Sequence, residues 1–337
     1  MSERLEAFAK VFLAGEYAVL EPGRPALVAG IDRKLHATVD RGAGRLQIVH
    51  APSGVSWDGG APPAGLRFAA RAAQLALRFC KGPGDLRIVF EDDLALGSHK
   101  LGLGGSAAAC VLAVRAVCGA SRGSVADEEI LSLALAAHWA EQQGAGSGAD
   151  VAAAAVGGVV EVRSRIPWRS AEEVMSVPAE QIAALRPLEL RRVRTPGELR
   201  LLLAYAGAPA DTRALVREVR RFGSAKPLRW AARADEISTA EEKLREALES
   251  GDRDSLLEAV RAGAAAMGAL GDEAGVAILT PQLARACALA SGPGAAAKPS
   301  GAGGGDCAVV VAFGEEARDR AEAALRPHFP VFRIAPA

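Results

Sequence analysis

Net charge is what this chain lacks first: its forty basic residues are balanced by forty acidic ones. Without a net field, the long-range attraction that gathers nucleic acid or an anionic membrane onto a protein is missing, so no nucleic acid and no membrane partner is expected. A small molecule is the expected partner. Cysteine is scarce as well. The five, Cys80, Cys110, Cys118, Cys287 and Cys307, form no C-x-x-C pair and no paired spacing with the five histidines. Neither a zinc site nor a disulfide framework is therefore expected, and buried, reduced thiols are. Nowhere do about 18 apolar residues run uninterrupted, and Met1 to Glu6 hold no apolar run ahead of a cleavage site. A cytoplasmic location is the expectation. No internal repeat is visible, and no Walker A lysine follows any glycine-rich loop.

What is present belongs to a globular protein: 50% of the residues are hydrophobic and 24% charged. At 337 residues the chain has room for two domains, each with its own core. Short β-rich segments come first, Ala9 to Leu13, Ala26 to Ile31, Leu35 to Val39 and Leu46 to His50, broken at Pro22-Gly23 and Gly42-Ala43-Gly44. They predict an antiparallel sheet. Apolar residues at Leu66, Ala70, Ala73, Leu77 and Cys80 recur at helical spacing, and Leu86 to Phe90 returns to a strand pattern. Helices are predicted after the Gly102 loop and over Asp127 to Gln143, the latter opened by acids that suit a helix N-terminus. Between Arg165 and Pro196 the pattern turns irregular and proline-rich, which places a domain boundary there, with domains 1–190 and 191–337. Beyond it a strand over Leu199 to Tyr205 and helices carrying Leu215, Val219 and Phe222, Leu256 to Met267 and Pro281 to Leu289 are predicted. A strand, Cys307 to Phe313, a helix, Glu315 to Leu325, and a strand, Val331 to Ile334, close an α+β arrangement.

Three loops of like chemistry stand far apart: Lys100 to Ala108, Gln143 to Asp150 and Lys298 to Asp306. Glycine admits positive φ and close approach, so such loops can aim several N–H groups at an anion. The first runs into a helix, whose free N–H groups and positive end could meet phosphates while the Ser106 hydroxyl ligates Mg²⁺. Equally, it could be a tight turn with Ser106 as the helix N-cap. Gly102-x-Gly104-x-x-Ala107 and Gly144-x-Gly146-x-x-Ala149 match a loose dinucleotide fingerprint, but Asp92, Asp93, His99 and Lys100 lie between the Phe90 strand end and the first loop. A dinucleotide loop should follow its strand directly. In the second loop Asp150 could orient an acceptor and take its proton, or simply cap the following Ala-rich segment. Lys10, opening the first strand, could pair with that aspartate or be a solvated charge.

Taken together, Lys10-Val-Phe-Leu-Ala-Gly-Glu-Tyr-Ala-Val-Leu20, Gly102 to Ala108 and Ser300-Gly-Ala-Gly-Gly-Gly-Asp306 resemble the three ordered motifs of the GHMP kinases, the superfamily of galactokinase, homoserine kinase and mevalonate kinase. Within it the chain is most similar to the phosphomevalonate kinases of bacterial and yeast type. The resemblance implies an N-terminal domain like ribosomal protein S5 domain 2, a ferredoxin-like C-terminal domain, and an enzyme using ATP and Mg²⁺, monomeric or homodimeric. It assigns ATP phosphate binding to Gly102, Leu103, Gly104, Gly105, Ser106 and Ala107, with Ser106 also a metal ligand. Asp150, Lys10 and Lys100 fall at its catalytic positions. Glu16, Tyr17, Ser147, Gly148 and Arg213, with Ser300, Gly301, Ala302 and Gly303 of the closing loop, are implied to contact the acceptor. Relatives such as mevalonate kinase place a Mg²⁺-binding glutamate where Trp139 stands, which leaves Glu141 as the nearby candidate. Other departures are Gly105, where the motif carries a second serine, and Ala208 and Asp211, which replace serines near the acceptor. A carboxylate at 211 is expected to repel an anionic substrate. The implied reaction converts 5-phosphomevalonate to 5-diphosphomevalonate. The alternatives are a kinase of mevalonate, of another mevalonate derivative or of another small alcohol, and an inactive ligand-binding protein of this fold.

Overall fold

The structure, a computed structural model, describes residues 3–82, 84–92, 94, 101–207 and 211–337. Its first strand, β1 (Glu3–Ala14), runs antiparallel to the long β2 (Pro25–Arg41), with Lys10 opposite Gly30. Sequence reasoning divides β2 in two, because Asp32-Arg33 interrupt its apolar run. The structure carries the strand through, and the register shift between Phe8 and Ala9 absorbs the interruption. Around this pair, β3 (Gln47–His50), β4 (Val55–Trp57), β5 (Leu86–Phe90), β6 (Gly158–Ser164) and β7 (Leu188–Arg192) complete a seven-stranded sheet of order β4-β3-β5-β2-β6-β7, with β1 on β2.

Helices α1 (Arg67–Cys80), α2 (Gly105–Arg122), α3 (Asp127–Glu141) and α4 (Ala149–Val156) cover one face of that sheet. Their buried sides close over Val28, Ala37, Ile48, Ile88 and Val160, forming the largest apolar core among the described residues. The irregular stretch after β6 folds as two short helices, α5 (Ala171–Ser176) and α6 (Ala179–Ala184), before β7 returns to the sheet. The first sheet ends at Arg192, and the second begins at Leu199.

The second sheet is antiparallel, of order β11-β8-β10-β9, from β8 (Leu199–Tyr205), β9 (Ala295–Pro299), β10 (Cys307–Phe313) and β11 (Val331–Ile334). Side chains alternate across it, as strand geometry requires. Leu202, Ala204, Val310 and Ala312 pack under α10 (Pro281–Ala290) and α11 (Glu315–Leu325). Leu201, Leu203, Val309 and Val311 turn the other way and share a core with Ala9, Val11, Leu13, Leu27 and Ala29 of the first sheet. Three helices complete this half: α7 (Thr212–Ala225), α8 (Pro227–Ser250) and α9 (Arg253–Ala274). They bury Val216, Val219, Ile237 and Met267 against Tyr17 and Ala18, so the turn after β1 is clamped between the two halves. Among the described residues no helix is long and apolar enough to cross a membrane.

Candidate active site

The first glycine loop delivers α2 with its N-terminus bare. Gly104 is the N-cap residue, at φ 82°, and contributes no side-chain cap. The first backbone bond of the helix runs from Ala108 N–H to the Gly104 carbonyl at 3.0 Å, which leaves the N–H groups of Gly105, Ser106 and Ala107 without an acceptor inside the helix. Ser106 therefore lies within the first turn, and the alternative in which it caps the helix does not hold. The glycines of this loop are required for different reasons. A Cβ on Gly104 would come within 2.7 Å of Lys10 Cγ, and one on Gly102 within 2.5 Å of Asp306 Oδ2, so both are dictated by the protein's own packing. A Cβ on Gly105 would meet nothing within 4 Å. That is the open side, where an anion has room. Leu103 turns its side chain into the shared core, so any ligand contact it makes is through backbone.

Lys10 lies along this loop rather than against Asp150. Its backbone N–H donates to the Leu103 carbonyl and its ammonium to the Gly102 carbonyl, each at 2.9 Å. The expected Lys10–Asp150 pair is thus replaced by a lysine that braces the phosphate loop. Lys100 lies outside the described residues.

Asp150 enters from the second loop on α4. Gly148 caps that helix at φ 83°, and Asp150 stands in its first turn, where the helix dipole favours a carboxylate; the cap alternative fails here too. The side chain is 19% exposed, and its Oδ2 lies 3.6 Å from His138 Nε2. His138 itself is fully enclosed, and its Nε2 also lies 3.1 Å from Ser106 Oγ. Burial lowers the His138 pKa, with Asp150 opposing and Lys10 reinforcing the shift. One buried imidazole therefore stands between the serine of the first loop and the aspartate of the second. Sequence reasoning missed it, since a single histidine inside the apolar helix Ile130 to Ala140 carries no motif.

Glu141, the expected metal ligand, is committed elsewhere. Its nearly buried carboxylate is held by Arg67 at 3.3 Å and Arg71 at 2.8 Å, joining α3 to α1. Two guanidinium groups already neutralise it, which corrects its assignment to a metal. Trp139 is engaged elsewhere as well, its ring tilted against Trp168 with centroids 5.8 Å apart.

The third loop is fastened to the turn after β1. Ser300 Oγ accepts from Phe12 N–H at 3.1 Å and donates to the Phe12 carbonyl at 3.3 Å. The Tyr17 hydroxyl donates to the Ala302 carbonyl at 2.5 Å, and burial, reinforced by Glu16, raises its pKa so that it keeps its proton. Lys298, wholly buried, pairs with Glu16 and donates to the Pro299 carbonyl at 2.7 Å. Ser300 and Glu16, both expected to hold the acceptor, thus spend polar contacts on joining the two halves. Gly303 packs against Ile278, where a Cβ would meet the carbonyl oxygen at 2.3 Å.

Between these parts lies a cavity of about 120 Å³. It gathers the expected residues Glu16, Tyr17, Ser147, Asp150, Arg213, Gly301 and Ala302, and adds Gln142, Thr212 and Val216, which sequence reasoning did not single out. Gly148, Ser300 and Gly303 support its walls without lining it. Asp211, expected to repel an anion there, is the N-cap of α7. Its carboxylate accepts from Ala214 N–H at 3.0 Å and is absent from the cavity lining, although the next two residues, Thr212 and Arg213, line it. Ala208 lies outside the described residues. Arg213 has no carboxylate partner among the described residues. Nor has Arg220, two helical turns further along α7, which donates to the Gly144 carbonyl at 3.0 Å.

Comparison with known proteins supplies the context for this geometry. The GHMP kinases N terminal domain model matches residues 67–158, and the GHMP kinases C terminal model residues 244–331. Phosphomevalonate kinase from Streptomyces sp. (strain CL190) is 33% identical over 347 residues, covering 92% of this chain and 90% of that protein. Streptococcus pneumoniae phosphomevalonate kinase in complex with phosphomevalonate and AMPPNP superposes with a TM-score of 0.86 at 21% identity, covering 99% of this chain and 100% of that one. L. major mevalonate kinase in complex with R-mevalonate gives 0.73 at 23% identity, over 98% of this chain and 95% of the other. At these structural identities the likeness is one of fold.

Proposed function

Because the chain belongs to the GHMP kinases and is a homologue of phosphomevalonate kinase, we propose that it transfers the γ-phosphoryl group of ATP to 5-phosphomevalonate, giving ADP and 5-diphosphomevalonate on the mevalonate route to isoprenoids. One observation carries this reading: the free N–H groups at the head of α2 and the cavity under Arg213 meet at the Ser106–His138–Asp150 bridge. A donor phosphate on the first and an acceptor in the second would face each other across Asp150.

The acceptor is itself a phosphate, and that changes what the site must do. A phosphate monoester loses its second proton with a pKa of about 6, so at neutral pH most of the acceptor is already an ionised nucleophile. Asp150 is then needed chiefly to orient the acceptor, and to take a proton from the monoanionic fraction. The larger task is holding two polyanions together. Arg213 in the cavity, Arg220 beside it and Lys10 behind the phosphate loop are the cations disposed for it.

The donor set also fits ATP accompanied by Mg²⁺. Among the described residues no cluster of three His, Cys, Asp or Glu could cage a metal, and Ser106 supplies one hydroxyl oxygen beside the bare helix N-terminus. Mg²⁺ held mainly by nucleotide phosphates and water asks for no more than one or two protein oxygens. When bound it offsets the charge of the β- and γ-phosphates. Ser106 would hold it, with Asp150 nearby and Glu141 excluded.

The test is ADP release in a coupled assay with ATP and Mg²⁺ over a panel of acceptors. Turnover of 5-phosphomevalonate with kcat/KM at least about tenfold above that of mevalonate is expected, since a site built for a phosphate discriminates strongly against its absence. Equal or better use of mevalonate would make the chain an alcohol kinase instead.

A further inference from the structure

We propose that His138 is a positioning residue that locks the phosphate-loop serine and the acceptor-side aspartate into one unit, because its Nε2 lies 3.1 Å from Ser106 Oγ and 3.6 Å from Asp150 Oδ2. The inference deepens the kinase reading and rests on it. Whichever of Nε2 and Oγ supplies the bridging hydrogen, their contact fixes the rotation of the Ser106 hydroxyl at the mouth of the donor site and leaves an oxygen lone pair for a cation. The same nitrogen stands beside the Asp150 carboxylate, so one ring sets the spacing of the two functional groups.

The ring has no freedom to do otherwise. It is 1% exposed, and Phe68 packs on it with centroids 5.1 Å apart. The amide nitrogen of Gln142, the C-cap residue of α3 that also lines the acceptor cavity, lies 3.5 Å from the same Nε2. The histidine thus joins groups from three helices, α2, α3 and α4, at the point where donor and acceptor sites meet. A packing residue would need only the ring's shape. The distances place its Nε2 in hydrogen-bond contact with Ser106 Oγ and beside the Asp150 carboxylate.

The test separates the nitrogen from the shape. His138→Phe keeps an aromatic ring against Phe68 and removes the ring nitrogen, whereas His138→Gln keeps an amide that can donate or accept near the Nε2 position. The first is expected to lower kcat/KM by about 10- to 100-fold, a usual loss when an orienting partner of a functional group is removed. The second should stay within about threefold of wild type. In a Ser106→Ala background the loss from His138→Phe should largely vanish, because coupled residues are non-additive. If His138→Phe does not fold, His138→Asn, whose amide stops one bond short, takes its place and is expected to lose activity likewise. An apolar variant with at least half the wild-type kcat would overturn the proposal. So would a loss of equal size with and without Ser106. Each variant is compared with wild type on the acceptor that wild type turns over, so a wrong acceptor appears in the wild-type rate and an inert histidine in the ratio.

Discussion

Asp150 would serve a phosphate acceptor differently from an alcohol. An alcohol must lose its proton to a base, a contribution of about 10²- to 10⁴-fold. A phosphate monoester must do so only below its second pKa, about 6. Asp150→Asn should therefore cut kcat more at pH 5.5 than at pH 8 with 5-phosphomevalonate, while leaving KM for ATP nearly unchanged. Steady-state rates across that range check it, and an equal loss at both ends would assign Asp150 to orientation alone. Asp150, Lys10 and Ser106 stand out in the sequence because each sits in a glycine-rich or strand-edge context, although each context also admits a purely structural role. Their partners are not legible there. Lys10 binds a carbonyl and Asp150 lies beside a histidine, since which side chains meet depends on how α2, α3 and α4 converge. The one available signal for His138 was its polarity within an otherwise apolar helix face.

At the scale of the element, the head of α2 yields a sharp expectation. Gly105 occupies the helix with open space where its Cβ would be, unlike Gly104, which is pressed against Lys10. Gly105→Ser should fold normally and gain about 0.5–1 kcal/mol by removing glycine from a helix, and a hydroxyl would be added beside the phosphate site. Thermal unfolding should shift upward by a few degrees, on the order expected for about 1 kcal/mol. KM for ATP should hold or fall. A fall in Tm would mean that the backbone there needs glycine after all. Among the elements that escaped sequence reasoning, two did so for clear physical reasons. The longest described helix, α8, places Ser238 and Glu241 on its buried face, which breaks the apolar periodicity. β9 reads Ala-Ala-Ala-Lys-Pro and has no β-branched residue, and it becomes a strand only by pairing with β10.

The whole molecule is held by a core shared between its halves and by the buried Lys298–Glu16 pair at their junction. Besides that pair, Glu241 of α8 lies fully buried near Glu161 of β6, and neither of its oxygens has a hydrogen-bond partner among the described residues. Burial first, and Glu161 second, push its pKa up from 4.5 to about 8. A carboxyl whose folded pKa is raised binds its proton more tightly when folded. Its ionisation therefore costs no stability below about pH 4.5, and stability falls progressively as pH rises from there to about 8. Glu241→Gln, which cannot ionise, should be more stable than wild type at pH 8 by on the order of a few kcal/mol, with the advantage shrinking toward pH 5. Urea unfolding at the two pH values reads it, and a pH-independent difference would show that Glu241 does not titrate there. At this scale the two-part α+β organisation was legible from the alternation of strand and helix patterns. The fastening of the third loop onto the turn after β1 was not, since Ser300, Tyr17 and Lys298 find their partners across nearly the full chain length. The central claim is that phosphoryl transfer ends on a phosphate. ³¹P NMR of the product formed from ATP, Mg²⁺ and 5-phosphomevalonate tests it directly. Two coupled phosphorus doublets of a new diphosphate ester are the expected result, and two uncoupled monoester signals, or no product at all, would contradict it.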